Sequence, residues 1–118
     1  MMLLSEREHI ARQLFEESIG LLNTKGLAYA GTQDSLANFK RNAERLGLSP
    51  FQIWAVYFNK HIDSINNAIK INPCVPVDKT EGLRGRIVDS ITYLTLLQCL
   101  LDDNSLTNDI GVIVNDIN

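Results

Sequence analysis

Cysteine is scarce in this chain, which carries Cys74 and Cys99 and no others among its 118 residues. With His9 and His61 they make no ligand pair at the spacing of a zinc site, and two thiols are no disulfide framework. A reducing, cytoplasmic setting is therefore expected. Long apolar runs are missing as well. Met1-Met2-Leu3-Leu4 turns polar at Ser5, short of a signal peptide or anchor, and no later run reaches bilayer length, so no membrane partner is expected. Nor is there a basic excess: 11 Lys and Arg against 14 Asp and Glu leave a net charge of −3. That balance disfavours extended nucleic acid as a partner. The single basic cluster, Lys40, Arg41 and Arg45, is diluted by Glu44 but leaves room for a small anion such as a nucleotide phosphate. The chain has no phosphate-binding glycine loop, nucleophile elbow or Cys-x-x-Cys pair, and so gives no footing to covalent catalysis.

What is present is helical periodicity. Apolar residues make up 45% of the chain and charged residues 21%, enough for the core of one helical domain. Ser5 with Glu8 reads as a capping box opening a helix over about 6–24, with Ile10, Leu14, Leu21 and Leu22 recurring on one face and Gly26 as its stop. A loop bearing Tyr29 leads to a second helix over 34–46, with Leu36, Phe39, Ala43 and Leu46 inward and Gly47 at its end. Ser49, Pro50 and Gln52 mark the start of a third helix over 50–70. Asn72 to Lys79, with Pro73 and Pro76, cannot be helical. Thr80 is the expected cap of a fourth helix over 81–102, whose first turns are weakened by Gly82 and Gly85. Residues 104–118 fit a short strand, a helix turn or a docking segment equally well.

The reading is an all-α, four-helix bundle-like domain, with helices one, three and four packed around Trp54, Phe58, Ile62, Ile87, Ile91 and Leu94. Helix four is apolar nearly all round from Tyr93 to Leu101, which points to completion by a homo-oligomer.

Polar residues at helical spacing supply the candidate chemistry. His61 falls among the apolar residues of helix three. It reads either as a core histidine satisfied by its neighbours or as the buried edge of a ligand pocket. Lys60, Asp63 and Asn67 lie on the other face, by default a solvated one. On helix four, Arg86, Asp89 and Tyr93 line one flank, with Glu81 upstream. Arg86 and Asp89 could be no more than a surface ion pair. Carboxylates near a bundle core are costly unless they pair with a cation or hold a metal, and their oxygens suit Mg2+.

The order Tyr29, Leu36-Ala37-Asn38-Phe39-Lys40-Arg41, Lys60-His61, then Glu81, Arg86, Asp89 and Tyr93 resembles small phage and prophage proteins. These stand near the nucleotide-modification-associated members of the all-α NTP pyrophosphatase (MazG-like) superfamily. The likeness covers about residues 20 to 102. It implies a helical bundle, usually oligomeric, that holds Mg2+ on carboxylates from two helices and hydrolyses nucleoside triphosphates between the α- and β-phosphates. By resemblance, Glu81 and Asp89 match the carboxylates of the later helix. Where the earlier helix normally supplies Glu-x-x-Glu, this chain reads Lys60-His61-Ile62-Asp63-Ser64.

Two functions follow as expectations. One is a divergent Mg2+-dependent nucleotide pyrophosphohydrolase in which Lys60 and His61 act on the phosphate. The other is a non-catalytic nucleotide-binding or interaction module on the same scaffold. In both, Tyr29 stacks on a base, Asn38 bonds its edge, and Lys40, Arg86 and Tyr93 contact the ligand.

Overall fold

The structure is a computed structural model that describes residues 1–30, 34–78 and 81–103, the side chains of 25–30 excepted. Four α-helices follow one another: α1 (Leu4–Ala30), α2 (Ala37–Leu46), α3 (Pro50–Ile71) and α4 (Leu83–Asp102). There is no strand among the described residues. The all-α, bundle-like architecture expected from periodicity is what the chain adopts. The tail 104–118 lies outside the described residues, as does Thr80, and the residue at the N-cap of α4 is Gly82 rather than the expected Thr80.

α3 is the helix whose ends the sequence marks most fully. The Ser49 hydroxyl accepts from the Gln52 backbone N–H at 3.2 Å, while the Gln52 side chain accepts from the Ser49 N–H at 2.8 Å. This reciprocal cap, with Pro50 in the first turn, satisfies two donors that a helix start otherwise leaves open. Gly47 ends α2 in the left-handed region at φ 68°, where a side chain would be strained.

Four expected boundaries differ, and one is the start of α4, which lies at Leu83 rather than 81. α1 does not stop at Gly26 but runs on to Ala30. A mid-helix glycine costs only about 1 kcal/mol, and Leu27, Ala28 and Ala30 are strong helix formers. Ser5 lies inside α1 rather than capping it, and the carboxylate at this end is Glu6, which accepts from the Leu3 N–H at 3.4 Å. α2 begins at Ala37 rather than 34, because Asp34 folds into a turn in which its side chain accepts from the Leu36 N–H at 3.0 Å.

The core also sits elsewhere than expected. Leu36, Phe39, Ala43, Ile53 and Leu100 form it, with Phe51, Trp54, Tyr57, Tyr93 and Leu96 packed around them. α2 is therefore a core element, wedged against α3. α4 is central, touching α1 on one side and α3 on the other, whereas α1 and α3 do not meet among the described residues. The buried stripe of α3 runs through Ile53, His61 and Ala68. On α4, Ile87 and Leu94 are 41% and 52% exposed, and the buried positions are Arg86, Val88, Thr92 and Leu100. Leu46 faces solvent rather than the core.

Polar bonds pin the helices to one another. Thr92 Oγ1 donates to the Val88 carbonyl at 2.9 Å, so its one proton is committed, and Ser18 Oγ must donate to Thr92 Oγ1 at 2.7 Å. This buried pair fixes α1 on α4. The Trp54 indole N–H donates to the Tyr93 carbonyl and fixes α3 on α4.

Candidate functional site: a cleft with a histidine–carboxylate cluster

All four helices leave a cleft of about 580 Å³ between them. Its walls carry three aromatic rings, Phe39, Tyr57 and Tyr93, and the polar side chains of Asn38, Lys60, His61, Glu81 and Asp89. The rings touch in series. Phe39 and Tyr57 lie 6.3 Å apart, Tyr57 and Tyr93 meet edge-on at 6.5 Å, and Tyr93 sits 5.2 Å from the His61 imidazole.

Helical spacing explains how α3 builds its wall. Tyr57, Lys60 and His61 stand at i, i+3 and i+4, on one face. His61 points inward and is buried, while Lys60 stays exposed at the rim. Lys60 has no ion-pair partner among the described residues. Asn42 donates from its side-chain amide to the Tyr57 hydroxyl at 3.2 Å and to Asn38 Oδ1 at 3.3 Å. Asn42 thereby orients two residues of the wall from behind.

At the other end of the cleft, Gly82 reverses the chain at φ 86° immediately before α4. That turn brings Glu81 back over the first turn of α4, where its side chain lies 3.4 Å from the place a Cβ on Gly85 would occupy. His61, Glu81 and Asp89 each present a ligand atom, all within 4.8 Å of one another. His61 Nδ1 is 3.7 Å from Asp89 Oδ2. The Glu81 carboxyl is held above its ordinary range by its hydrogen bond with Asp89, with burial and the Asp89 charge adding to the effect. Arg86 and His61 pull the other way and are outweighed.

Arg86 stands behind this cluster. Its Nε donates to Asp78 Oδ2 at 3.0 Å and its Nη1 donates to Glu81 Oε2 at 2.8 Å; Arg86 is buried and Asp78 half-buried. Nη1 also lies 3.4 Å from His61 Nδ1. Arg86 takes Asp78 and Glu81 as its ion-pair partners, in place of the surface pair with Asp89 that spacing alone allows.

Of the residues singled out in the sequence, Asn38, Lys60, His61, Glu81, Asp89 and Tyr93 line one cleft. Arg86 and Lys40 are not in its wall. Lys40 bridges Asp34 at 2.6 Å and Asp103 at 2.9 Å, tying the start of α2 to the end of α4. The Tyr29 side chain lies outside the described residues.

Searches of protein-family models, curated proteins and solved structures found no significant match to this chain. The superfamily resemblance therefore stands on the residues quoted above.

Tyr57, Asn42 and Asp78 are part of the arrangement and were not singled out by sequence reasoning. Tyr57 was findable, since it sits one helical turn before Lys60 and His61. Asp78 gave no local signal, because its partner lies across a loop.

For a resident cation, the donor set is one imidazole nitrogen and two carboxylates. The two carboxylates fit Mg2+, which takes oxygen ligands and keeps water in its remaining positions. Nothing else in the cluster is a carboxylate facing the cleft among the described residues. No described helix is long and apolar enough to cross a membrane.

Proposed function

We propose that this protein binds a nucleotide, or a small phosphorylated ligand like it, in the cleft between its helices. It would work in the cytoplasm, as a homo-oligomer of phage-type nucleotide metabolism. The observation that carries this reading is the sharing of one cavity by stacking rings, a rim lysine and a cation-ready cluster. Tyr57 and Tyr93 offer faces to a base, and Asn38 offers an amide to its edge. Lys60 supplies positive charge to a phosphate. A cation on Glu81 and Asp89 would bridge to the phosphate oxygens and polarise the phosphorus centre. That is the chemistry of a nucleoside triphosphate pyrophosphohydrolase, which the resemblance also implies.

The second reading is a non-catalytic nucleotide-binding or interaction module. The observation favouring it is that Lys60 and His61 stand where the resembled proteins carry a Glu-x-x-Glu pair, so the cation has fewer carboxylates.

A thermal-shift screen of nucleotides, each with and without Mg2+, followed by calorimetry on the best ligand, tests the proposal. Asp89→Asn keeps the shape of the side chain and removes its charge. It should abolish the Mg2+-dependent part of binding. Lys60→Ala should weaken phosphorylated ligands by about ten-fold, the scale of one charge-assisted hydrogen bond, and leave the nucleoside unaffected. Identical affinities for wild type and both variants would remove the cleft as the binding site. Release of pyrophosphate from a bound triphosphate would decide for the enzyme over the binding module.

A further inference from the structure

We propose that the cation held by this cluster is a first-row transition metal, with His61 as a direct ligand, rather than Mg2+. The inference rests on the reading of Glu81 and Asp89 as a cation site and concerns which cation they take.

Three observations carry it. The first is the donor set. An imidazole nitrogen beside two carboxylates suits borderline divalent ions, whereas Mg2+ takes oxygen. His61 is 6% exposed, and its Nδ1 faces Asp89 rather than solvent.

The second is distance. With metal–ligand bonds of ~2.1 Å, two ligands on one ion lie about 3 Å apart at right angles and about 4 Å apart when opposed. The 3.7 Å between His61 Nδ1 and Asp89 Oδ2 falls within that span. All the ligand atoms of the cluster lie within 4.8 Å of one another, a bound roughly half an ångström beyond that span. Glu81 comes from the segment before α4 and is partly exposed, so its side chain can supply that movement.

The third is charge and hydrogen-bond direction. One guanidinium, Arg86, lies among three carboxyl groups, those of Asp78, Glu81 and Asp89. Its ion pairs go to the first two, while Asp89 shares a hydrogen bond with Glu81 on the cleft side. A guanidinium has donors and no acceptor. At 3.4 Å from Arg86 Nη1, His61 Nδ1 is therefore the acceptor, so this nitrogen carries no proton, and a metal taking its one lone pair would displace the Arg86 N–H. Arg86 in turn braces Glu81 from the side away from the cleft.

The test uses the full chain, stripped of metal by a chelator and free of nucleotide. Mn2+ is the probe, because exposed Cys74 and Cys99 would draw softer ions. Calorimetry should give one Mn2+ per chain, at least about ten-fold tighter than Mg2+. Electron spin-echo modulation of the bound Mn2+ should show a directly coordinated imidazole nitrogen. His61→Asn should erase that modulation and most of the preference for Mn2+, with Mg2+ binding little changed. The spin-echo measurement on wild type needs no variant, so a folding defect in His61→Asn does not remove the test.

Bound Mn2+ without nitrogen coupling, or no Mn2+ binding, would overturn the inference. A chain that takes Mn2+ through nitrogen and binds no nucleotide upholds it while sinking the function proposed above. Nucleotide binding that requires Mg2+ and shows no nitrogen-ligated metal does the reverse.

Discussion

Lys40 is the residue where an expected ligand contact meets a local structural task. Its ammonium sits between Asp34 and Asp103, and these partners set its chemistry. Asp34 is held below its ordinary range by its hydrogen bond to Lys40, then by the Leu36 backbone N–H. Lys40 is raised, mainly by the Asp34 hydrogen bond. The signs differ. A carboxylate with a lowered folded pKa stabilises the fold above its unfolded value of 3.8, and that stability is lost as pH falls through the folded value. A lysine with a raised pKa contributes fully below 10.5, and its contribution is lost as pH rises through the higher folded value. The pair is partly solvated, so its worth is about 1 kcal/mol or less. Lys40→Met should therefore lower stability near neutral pH by roughly that amount and flatten both the acid and the alkaline limb. Urea melts across the pH range measure it. A variant whose difference from wild type is the same at every pH would contradict this account. Because Lys40 does not line the cleft, Lys40→Met should leave ligand affinity unchanged while Lys60→Ala does not.

Among the elements, the start of α4 governs the candidate site. Gly82 has φ 86° and ψ 142°, a conformation that only glycine adopts freely. Gly82→Ala should cost about 1–3 kcal/mol in a denaturant melt. Because Glu81 is carried on this turn, the substitution should weaken cation binding as well. Loss of neither would mean that the turn has no part in the site. The sequence marked the weakness of this helix start but not its geometry, since a glycine looks the same whether it merely weakens a helix or reverses the chain before it. Caps were legible where the bonds are local: Ser49, Gln52 and Gly47 all act within three residues of one another or of a helix end. The core was less legible. Apolar residues nearly surround α4, and periodicity cannot say which stripe a neighbour covers when nearly every face qualifies. The choice fell to α2, where Phe39 and Ala43, with Leu36 just before the helix, join Ile53 of α3 and Leu100 of α4 in one core. The polar residues of the cleft were legible in type, as cations and carboxylates at helical spacing. Their partners were not, because Arg86 reaches Asp78 across a loop rather than Asp89 one turn on.

At the scale of the whole molecule, one apolar face is left exposed by the described residues. Ile87, Leu94 and Leu101 recur every seven residues on α4, and each is 41% exposed or more. Residues seven apart on an α-helix share one stripe. α1 and α3 pack against other sides of α4, and no described helix covers this one. On α1, Phe15 and Ile19 are likewise exposed, one turn apart. Surface leucines scattered singly need no explanation, but a continuous stripe marks a contact surface or an aggregation hazard. The expected cover is a second copy of the chain. Light scattering should then give at least twice the monomer mass of 13.2 kDa at micromolar concentration. Leu94→Lys places a charge in the middle of the stripe. It should shift the chain to monomer with its helical circular dichroism intact, since the side chain is already half exposed in the isolated protomer. The cleft opens between helices of one chain and does not include this stripe, so the monomeric variant should still take up ligand. A wild-type mass of 13.2 kDa at every concentration would show that the stripe is left bare, and a variant that loses its helix with its partner would show that the protomer cannot stand alone.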